Sequence, residues 1–315
     1  MTTIVMTGGT SGFGATAAER LATSPTTRLL LGARTRTAAT ESRIPATPNP
    51  AAAVERLPLD LTSLESVHSF AASVRDRLSD TPIDALILNA GIIRPDTTAR
   101  TPDGYETTFA VNHLAHYLLA RLLLPHLSDT ATVILTTSGT HDPATGSPLA
   151  TPRHADAHLL AHPDQDPALD PRPKKAGEHA YTASKLCAVL TARALSDPRH
   201  THPHLLTAIA FCPGQVFGTG LAHNLSLPLR TAWRLLGTPL GRPLRLVNPN
   251  FNTRAEAGTT LAALALGHLT PPDRHLYAAL RRGTLTWPAL SPQAGKDELS
   301  QALWTDSAKL AGLPD

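Results

Sequence analysis

The sequence predicts an α/β protein in three layers: a doubly wound, mostly parallel sheet between helices, forming a single domain over residues 1–315. Two observations carry the prediction. Short continuous apolar runs alternate with longer stretches of helical period, as parallel strands covered on both faces and their crossover helices require. The first run passes straight into the glycine-rich TGGTSGFG, a strand-to-helix turn in the place such a sheet puts it. The bulk numbers exclude other classes. Basic and acidic residues nearly balance, 28 against 25, and no run of Lys or Arg offers a footprint for nucleic acid. No stretch approaches the ~18 apolar residues of a membrane span. The opening MTTIVMTGGT has no charged leader, so no signal peptide is expected and the expected location is cytoplasmic. The two cysteines, Cys187 and Cys212, sit in apolar stretches and read as small buried hydrophobes rather than a disulfide.

The elements follow in order. Thr3–Thr7 (TIVMT) is the first strand, and Gly12–Thr23 the helix that leaves the glycine turn. Arg28–Gly32 (RLLLG) and Val54–Leu59 are the next two strands, and Leu64–Leu78 the second helix. Ala85–Asn89 (ALILN) is a strand, Gly104–His126 a helix, Ala131–Ser138 (ATVILTTS) a strand, His179–Ser196 a helix, and Leu205–Phe211 (LLTAIAF) a strand. Strand, helix, strand, repeated, implies right-handed crossovers and a sheet of Rossmann type. Two segments break the rhythm. Residues 141–177 are rich in His, Asp and Pro without a period; they read as an inserted loop, with disorder as the plain alternative. Residues 220–252, rich in Pro and Arg around the helix-like TAWRLLG, read as a second excursion.

The chemistry begins at Thr7–Gly14. Gly8, Gly12 and Gly14 let the backbone approach a pyrophosphate, the N–H groups of the first helical turn face the anion, and Thr10 and Ser11 add hydroxyl contacts. An acid about 20 residues beyond the glycines would accept from a ribose 2′-OH. Here the second strand ends Leu31-Gly32-Ala33-Arg34, with no acid and with a guanidinium suited to a 2′-phosphate, so NADP(H) is expected over NAD(H). Arg36 is the second candidate, and a solvated surface arginine the plain alternative. Asp60-Leu61 and Asn89-Ala90-Gly91 fall at the carboxyl ends of strands, where ligands of open α/β sheets bind; as isolated signals they are equally turn and cap residues.

Tyr181 and Lys185 share one helix face at i,i+4. An ammonium near a phenol favours the phenolate, and lowering a tyrosine by three units, about 4 kcal/mol, would bring it to neutral pH as an acid and base. Ser138, at the end of the fifth strand, is placed to hold a carbonyl oxygen beside Tyr181. HTHPH (His200–His204) lacks an acid or Cys to complete a metal set, so no metal is expected. His113 and His116 read as packing histidines, His141 as lining a pocket or as a polar loop residue, and Trp233 as packing, a lid or a subunit contact.

Taken together, Thr7–Gly14, Asn89-Ala90-Gly91, Asn112, Ser138, Tyr181-x-x-x-Lys185 and Pro213-Gly214 resemble the short-chain dehydrogenases/reductases, from residue 3 to roughly 220 and more weakly beyond. VNHLAHYLL and AYTASKLCAVL are similar to the branch of retinol dehydrogenases and protochlorophyllide reductases. The resemblance implies a four-part relay. Tyr181 is general acid or base, Lys185 binds the nicotinamide ribose and lowers the tyrosine, Ser138 positions the substrate oxygen, and Asn112 holds a water toward Lys185. It also implies dinucleotide contacts from Gly8, Thr10, Ser11, Gly12, Phe13, Gly14, Arg34, Asp60, Leu61, Asn89, Ala90, Gly91, Pro213, Gly214, Val216 and Thr219. Phe13 replaces the usual Ile or Leu, and Gly218 stands where a carboxamide-contacting Thr is usual, so Thr219 takes that role by one step of register. Family members assemble as homodimers or homotetramers through the helices carrying Asn112 and Tyr181, an arrangement that long insertions can block.

The function expected is an NADPH-dependent oxidoreductase interconverting a carbonyl and an alcohol on a hydrophobic small molecule. The composition suits a GC-rich bacterial genome and a tailoring step of secondary metabolism. Residues 141–177 are expected at the pocket rim and 220–252 over the substrate. The rivals are a reductase of a C=C bond or aromatic ring using the same tyrosine, and a catalytically silent NADP(H)-binding redox sensor.

Overall fold

The computed structural model describes residues 1–24, 26–34, 53–217, 231, 235–236, 248–273 and 275–314. Arg36, Gly218, Thr219, Trp233 and most of 220–252 lie outside the described residues.

Ten strands are β1 (Thr2–Thr7), β2 (Thr27–Ala33), β3 (Ala53–Pro58), β4 (Ile83–Leu88), β5 (Leu127–Thr136), β6 (Thr207–Cys212), β7 (Gln215–Val216), β8 (Phe251–Asn252), β9 (Tyr277–Arg281) and β10 (Thr284–Thr286) among the described residues. Eight form one sheet in the order β10-β9-β6-β5-β4-β1-β2-β3, and β7 pairs with β8 in a second, two-stranded sheet. All pairs in the large sheet are parallel except β10 against β9. From β1 the chain winds outward to β2 and β3, then returns to place β4 on the other side of β1. The switch point therefore lies between the carboxyl ends of β1 and β4, where a ligand crevice opens.

Strand alternation sorts the core. Val5, Leu30, Leu86, Leu88, Val133 and Leu135 face one helical layer, while Ile4, Met6, Leu29, Leu31, Ile87 and Ile134 face the other. The first layer holds α2 (Leu64–Leu78), α4 (Ala115–Leu123) and α6 (Pro173–Leu195); the second holds α1 (Gly12–Ala22) and the helix Arg254–Ala265. The last two pack closely. A Cβ on Gly258 would stand 2.6 Å from Phe13 O and from Thr16 Cβ.

Two helices start elsewhere than expected. The helix expected over 104–126 starts at Thr107, since Gly104 turns the chain with φ +86° and buried Glu106 accepts from the N–H groups of Thr108 and Phe109. It runs through α3 (Thr107–Phe109) and a π-turn at Ala110–Leu114 into α4, so Asn112 sits in the widened turn. The helix carrying Tyr181 starts at Pro173, a residue pre-set for a first turn, and not at His179. Gly177 on it admits the 94–96 backbone, where a Cβ would lie 2.7 Å from Arg94 O.

The segment 141–177 is built rather than featureless. It holds the 3₁₀ turns Pro143–Thr145 and Pro163–Gln165 and the short α5 (Ala157–Ala161), with Asp142 and Asp156 capping through their side chains. Arg153 pairs with Asp166, Arg100 with Asp164 at 3.0 Å, and Lys175 with Glu178 at 2.6 Å. Its polarity reflects local capping and pairing, which a search for hydrophobic period misses.

The C-terminal helix Asp297–Leu310 lies on the outer faces of α4 and α6. Tyr117 Oη donates to Trp304 O at 2.8 Å, Ser300 Oγ to Leu190 O at 2.9 Å, and His113 Nε2 meets Ser307 Oγ at 2.8 Å. The face that the resemblance gives to subunit contacts is thus covered by the chain's own helix. No helix among the described residues is long and apolar enough to cross a membrane.

Gly258→Val is expected to cost roughly 1–3 kcal/mol by overpacking the contact with α1. The check is a lower urea midpoint with an unchanged slope.

Candidate active site

The glycine turn is shaped by contact. Gly8 and Gly12 hold φ of +67° and +59°, and a Cβ on Gly14 would stand 2.1 Å from Gly8 O. Ser11 precedes α1 and its side chain makes no cap bond, so its hydroxyl does not occupy the first-turn N–H groups that an anion would use. Thr7 Oγ1 accepts from the backbone N–H of Asn89 at 3.0 Å and of Ala90 at 3.2 Å. Asn89 Nδ2 donates to Gly8 O at 3.0 Å, and its Oδ1 accepts from Thr136 Oγ1 at 2.9 Å. These bonds tie the carboxyl ends of β1, β4 and β5 together under the crevice.

Ser138 does not end β5. The strand stops at Thr136, Thr137 N donates to Phe211 O at 2.8 Å, and Ser138 caps a 3₁₀ turn at Gly139–His141. That turn is held from behind: Gly139 N donates to Cys212 Sγ at 3.1 Å, and His141 Nδ1 meets Ser138 O at 2.6 Å. Ser138 lies near enough to the Tyr181 phenol to favour its ionised form.

Tyr181 and Lys185 are 8% and 5% exposed, which decides their chemistry. Burial pushes the Tyr181 phenol up to about 12, against the influence of Ser138 and with the Cys212 thiol adding to the rise. Burial brings the Lys185 ammonium down to about 8, with Cys212 opposing. The expected lowering of the phenol by its neighbouring amine is therefore not met in the free chain. Lys185 Nζ stands 5.7 Å from the Tyr181 ring centre and donates to Thr136 O at 3.1 Å. On its open side it lies 3.3 Å from where a Cβ on Gly91 would sit, so it points into the crevice above the glycine turn.

Asn112 serves the backbone with its side chain. Its Oδ1 accepts from Ile92 N at 2.8 Å, and its Nδ2 donates to Ile92 O at 2.9 Å and to Ser184 Oγ at 3.0 Å. Both ends of the amide are thus used, and the Asn112 main-chain carbonyl lies 3.3 Å from His116 Nδ1.

Comparison with known proteins gives the family. Residues 2–147 match the pattern described as short chain dehydrogenase. Protochlorophyllide reductase A of Oryza sativa subsp. japonica is 33% identical over 329 residues, covering 98% of this chain and 80% of that protein. The chain belongs to the short-chain dehydrogenases/reductases. Retinol dehydrogenase 13 of Homo sapiens is 32% identical over 257 residues, covering 81% of this chain and 68% of that protein. An uncharacterised protein from Mycobacterium paratuberculosis superposes with a TM-score of 0.67 at 26% identity, over 99% of this chain and 94% of that one. The NADPH-bound carbonyl reductase from chicken fatty liver superposes with a TM-score of 0.55 over 84% of this chain and 86% of that one; at 18% identity it shares the fold alone.

As a member of this family the chain is an oxidoreductase that uses a nicotinamide cofactor, and the uncapped α1 turn fits one. The outer contact residues are less decided by geometry. Arg34 is exposed at the end of β2. Asp60 is exposed and spends one oxygen, Oδ1, on its own turn through Thr62 N at 2.9 Å and Thr62 Oγ1 at 2.8 Å; Leu61 beside it is buried. Thr10 is exposed and Phe13 half-buried at the head of α1.

Pro213-Gly214 is clamped by a residue that sequence reasoning missed. Asn252 is fully buried; its Nδ2 donates to Pro213 O at 3.0 Å and Leu280 O at 2.8 Å, and its Oδ1 accepts from Gly283 N at 2.7 Å. Gly214 has φ +72°, and a Cβ there would meet Asn250 O at 2.4 Å. Val216, buried, follows in β7. Cys212, behind the Ser138 turn, and Tyr277, edge-on to the His141 ring at 5.3 Å, were also missed as parts of the site, because each lies in an apolar strand.

The buried ammonium has a stability cost. A lysine with a folded value near 8 and an ordinary value of 10.5 destabilises the fold by about 3 kcal/mol below pH 8, where both states are charged. Between about 8 and 10.5 the unfolded chain holds the extra proton, so stability rises with pH and the cost vanishes. Lys185→Met is therefore expected to exceed the parent's stability at pH 7 by about 1–3 kcal/mol, with the gap closing across that window in urea titrations.

Proposed function

We propose that the chain is an NADP(H)-dependent carbonyl reductase, equally an alcohol dehydrogenase in reverse, acting on a hydrophobic ketone or aldehyde. The observation that carries this is the burial of the Tyr181 phenol one helical turn from the buried Lys185 ammonium, whose Nζ stands 5.7 Å from the tyrosine ring centre and beside Gly91 at the crevice. The reduced nicotinamide, when bound, supplies a hydride from C4 to the carbonyl carbon. The Ser138 hydroxyl holds the carbonyl oxygen, and Tyr181 gives it the phenolic proton as the hydride arrives. Lys185, which donates to Thr136 O at 3.1 Å, would hold the ribose of a bound cofactor and bring its charge to the resulting phenolate. The phenolate recovers its proton from solvent. Arg34 supports the choice of NADP(H), through a 2′-phosphate at the exposed end of β2.

We assign residues 141–177 to the pocket rim. Ala150 N donates to Glu178 at 3.0 Å and Ala150 O accepts from Thr182 at 2.8 Å, which seats the segment one turn from Tyr181. The covered α4–α6 face supports a chain that does not dimerise there. A second reading, reduction of a C=C bond with Tyr181 protonating carbon, is favoured by the likeness to protochlorophyllide reductase A across 98% of the chain.

Ketones, aldehydes and conjugated alkenes should be screened with NADPH and with NADH, following cofactor absorbance. Tyr181→Phe is expected to keep cofactor binding and lose roughly 10²–10⁴-fold in turnover. Arg34→Ala is expected to weaken NADPH and leave NADH unchanged. Turnover of alkenes alone would replace the carbonyl reading with the second one; tight NADPH binding with no turnover on any substrate would leave a redox sensor.

A further inference from the structure

We propose that His116 is a positioning residue for the nicotinamide cofactor: together with Asn112, one helical turn earlier, it clamps the Asn89–Ile92 stretch that separates the glycine turn from the Lys185 ammonium. The inference rests on the reading of the glycine turn and Lys185 as the two points between which the cofactor lies.

His116 is 3% exposed, at the start of α4. Its Nε2 stands 3.0 Å from Thr7 Oγ1 and its Nδ1 3.3 Å from Asn112 O. A carbonyl only accepts, so Nδ1 carries the imidazole hydrogen and Nε2 is left as an acceptor. The Thr7 hydroxyl then donates to Nε2. Both of its lone pairs are free for the N–H groups of Asn89 and Ala90, which it accepts at 3.0 and 3.2 Å. The other acceptor within reach of that hydroxyl is Ile87 O, at a long 3.5 Å. His116 therefore decides how Thr7 is turned, and Thr7 decides where residues 89 and 90 sit.

Asn112 fixes the far end of the same stretch through Ile92 N and O. The spacing of the two clamps is that of one helical turn, so the stretch is held at two points by one helix face. What lies between them is the crevice floor. A Cβ on Gly8 would stand 2.6 Å from Ala90 N, and one on Gly91 3.3 Å from Lys185 Nζ. Movement of 89–92 is thus felt at the glycine turn on one side and at the ammonium on the other. Burial brings His116 down to about 4, with Lys185 contributing, so the ring stays a neutral acceptor at physiological pH. His113 on the same helix is a different case: it reaches Ser307 of the C-terminal helix, away from the crevice.

The test uses the full chain with His116→Phe, which removes both bonds, and His116→Gln, whose amide can keep the one to Thr7. Dissociation constants for NADPH and NADH are measured by tryptophan fluorescence, with thermal unfolding as a control. His116→Phe is expected to weaken the cofactor that the parent binds by about tenfold, the loss of one to two hydrogen bonds. His116→Gln should fall between, and kcat at saturating cofactor should stay within about threefold on any substrate turned over. A folded Phe variant with unchanged affinity, or one that loses kcat alone, overturns the proposal. A parent that binds neither dinucleotide overturns the underlying cofactor reading instead. Should the Phe variant not fold, ¹⁵N NMR of the parent decides: a neutral His116 ring protonated at Nδ1 at pH 7 supports the clamp, and a ring protonated at Nε2 or at both nitrogens overturns it.

Discussion

Removal of water from Tyr181 and Lys185 is the constraint on which the rest of this site depends. Each is an acid–base group held where its charged form is disfavoured, the phenol pushed up to about 12 and the ammonium down to about 8. Burial thus moves both toward neutrality, and the two groups face different ways: the phenol toward Ser138, the ammonium toward Thr136 O and the crevice. Charge or hydrogen bonds supplied between the two would change that balance. A dinucleotide lying from the glycine turn to Lys185 would do so, and an oxidised nicotinamide would add a positive charge that favours the phenolate. In this account the chain stores the tyrosine as an acid and the cofactor sets it.

The scaffold holds that pair against the sheet from three sides. Thr137 Oγ1 donates to Lys185 O at 2.6 Å, Asn112 reaches Ser184, and Ser184 Oγ in turn donates to Tyr181 O at 2.7 Å. The π-turn at Ala110–Leu114 belongs to the same device, since it places Asn112 for the Ile92 backbone while His116 reaches Thr7. Where the outer faces of α4 and α6 would be open to a second subunit, the C-terminal helix covers them and Arg121 stacks 5.1 Å from the Trp304 ring centre.

Much of this was legible in the sequence, for physical reasons that also mark where reading stopped. TIVMT, RLLLG and ALILN were plain because strands buried on both faces are short apolar runs, and their alternation between the two cores follows from the pleat. Leu64–Leu78 was plain because one face is apolar and Ser63 caps it through Ser66 N. The start of α6 was hidden because Lys174, Lys175 and Glu178 look like loop polarity until Lys175 and Glu178 are seen to pair across one turn. The family's motif gave the relay residues their address but not their charge state. That depends on desolvation, which no local pattern encodes. Asn252 was missed, and His116 was read only as packing, because each bonds to partners far away in the sequence, and a buried polar residue shows its contacts only when its bonds are drawn.

The most direct test of this account is the ionisation of one phenol. The ultraviolet pH titration of the parent minus that of Tyr181→Phe isolates residue 181, first in the free chain and then saturated with oxidised dinucleotide. The account predicts that the free phenol ionises near 12 and that bound oxidised cofactor moves it down toward neutral pH. A phenol already ionising near neutral pH in the free chain, or one that stays near 12 with the cofactor bound, would contradict it.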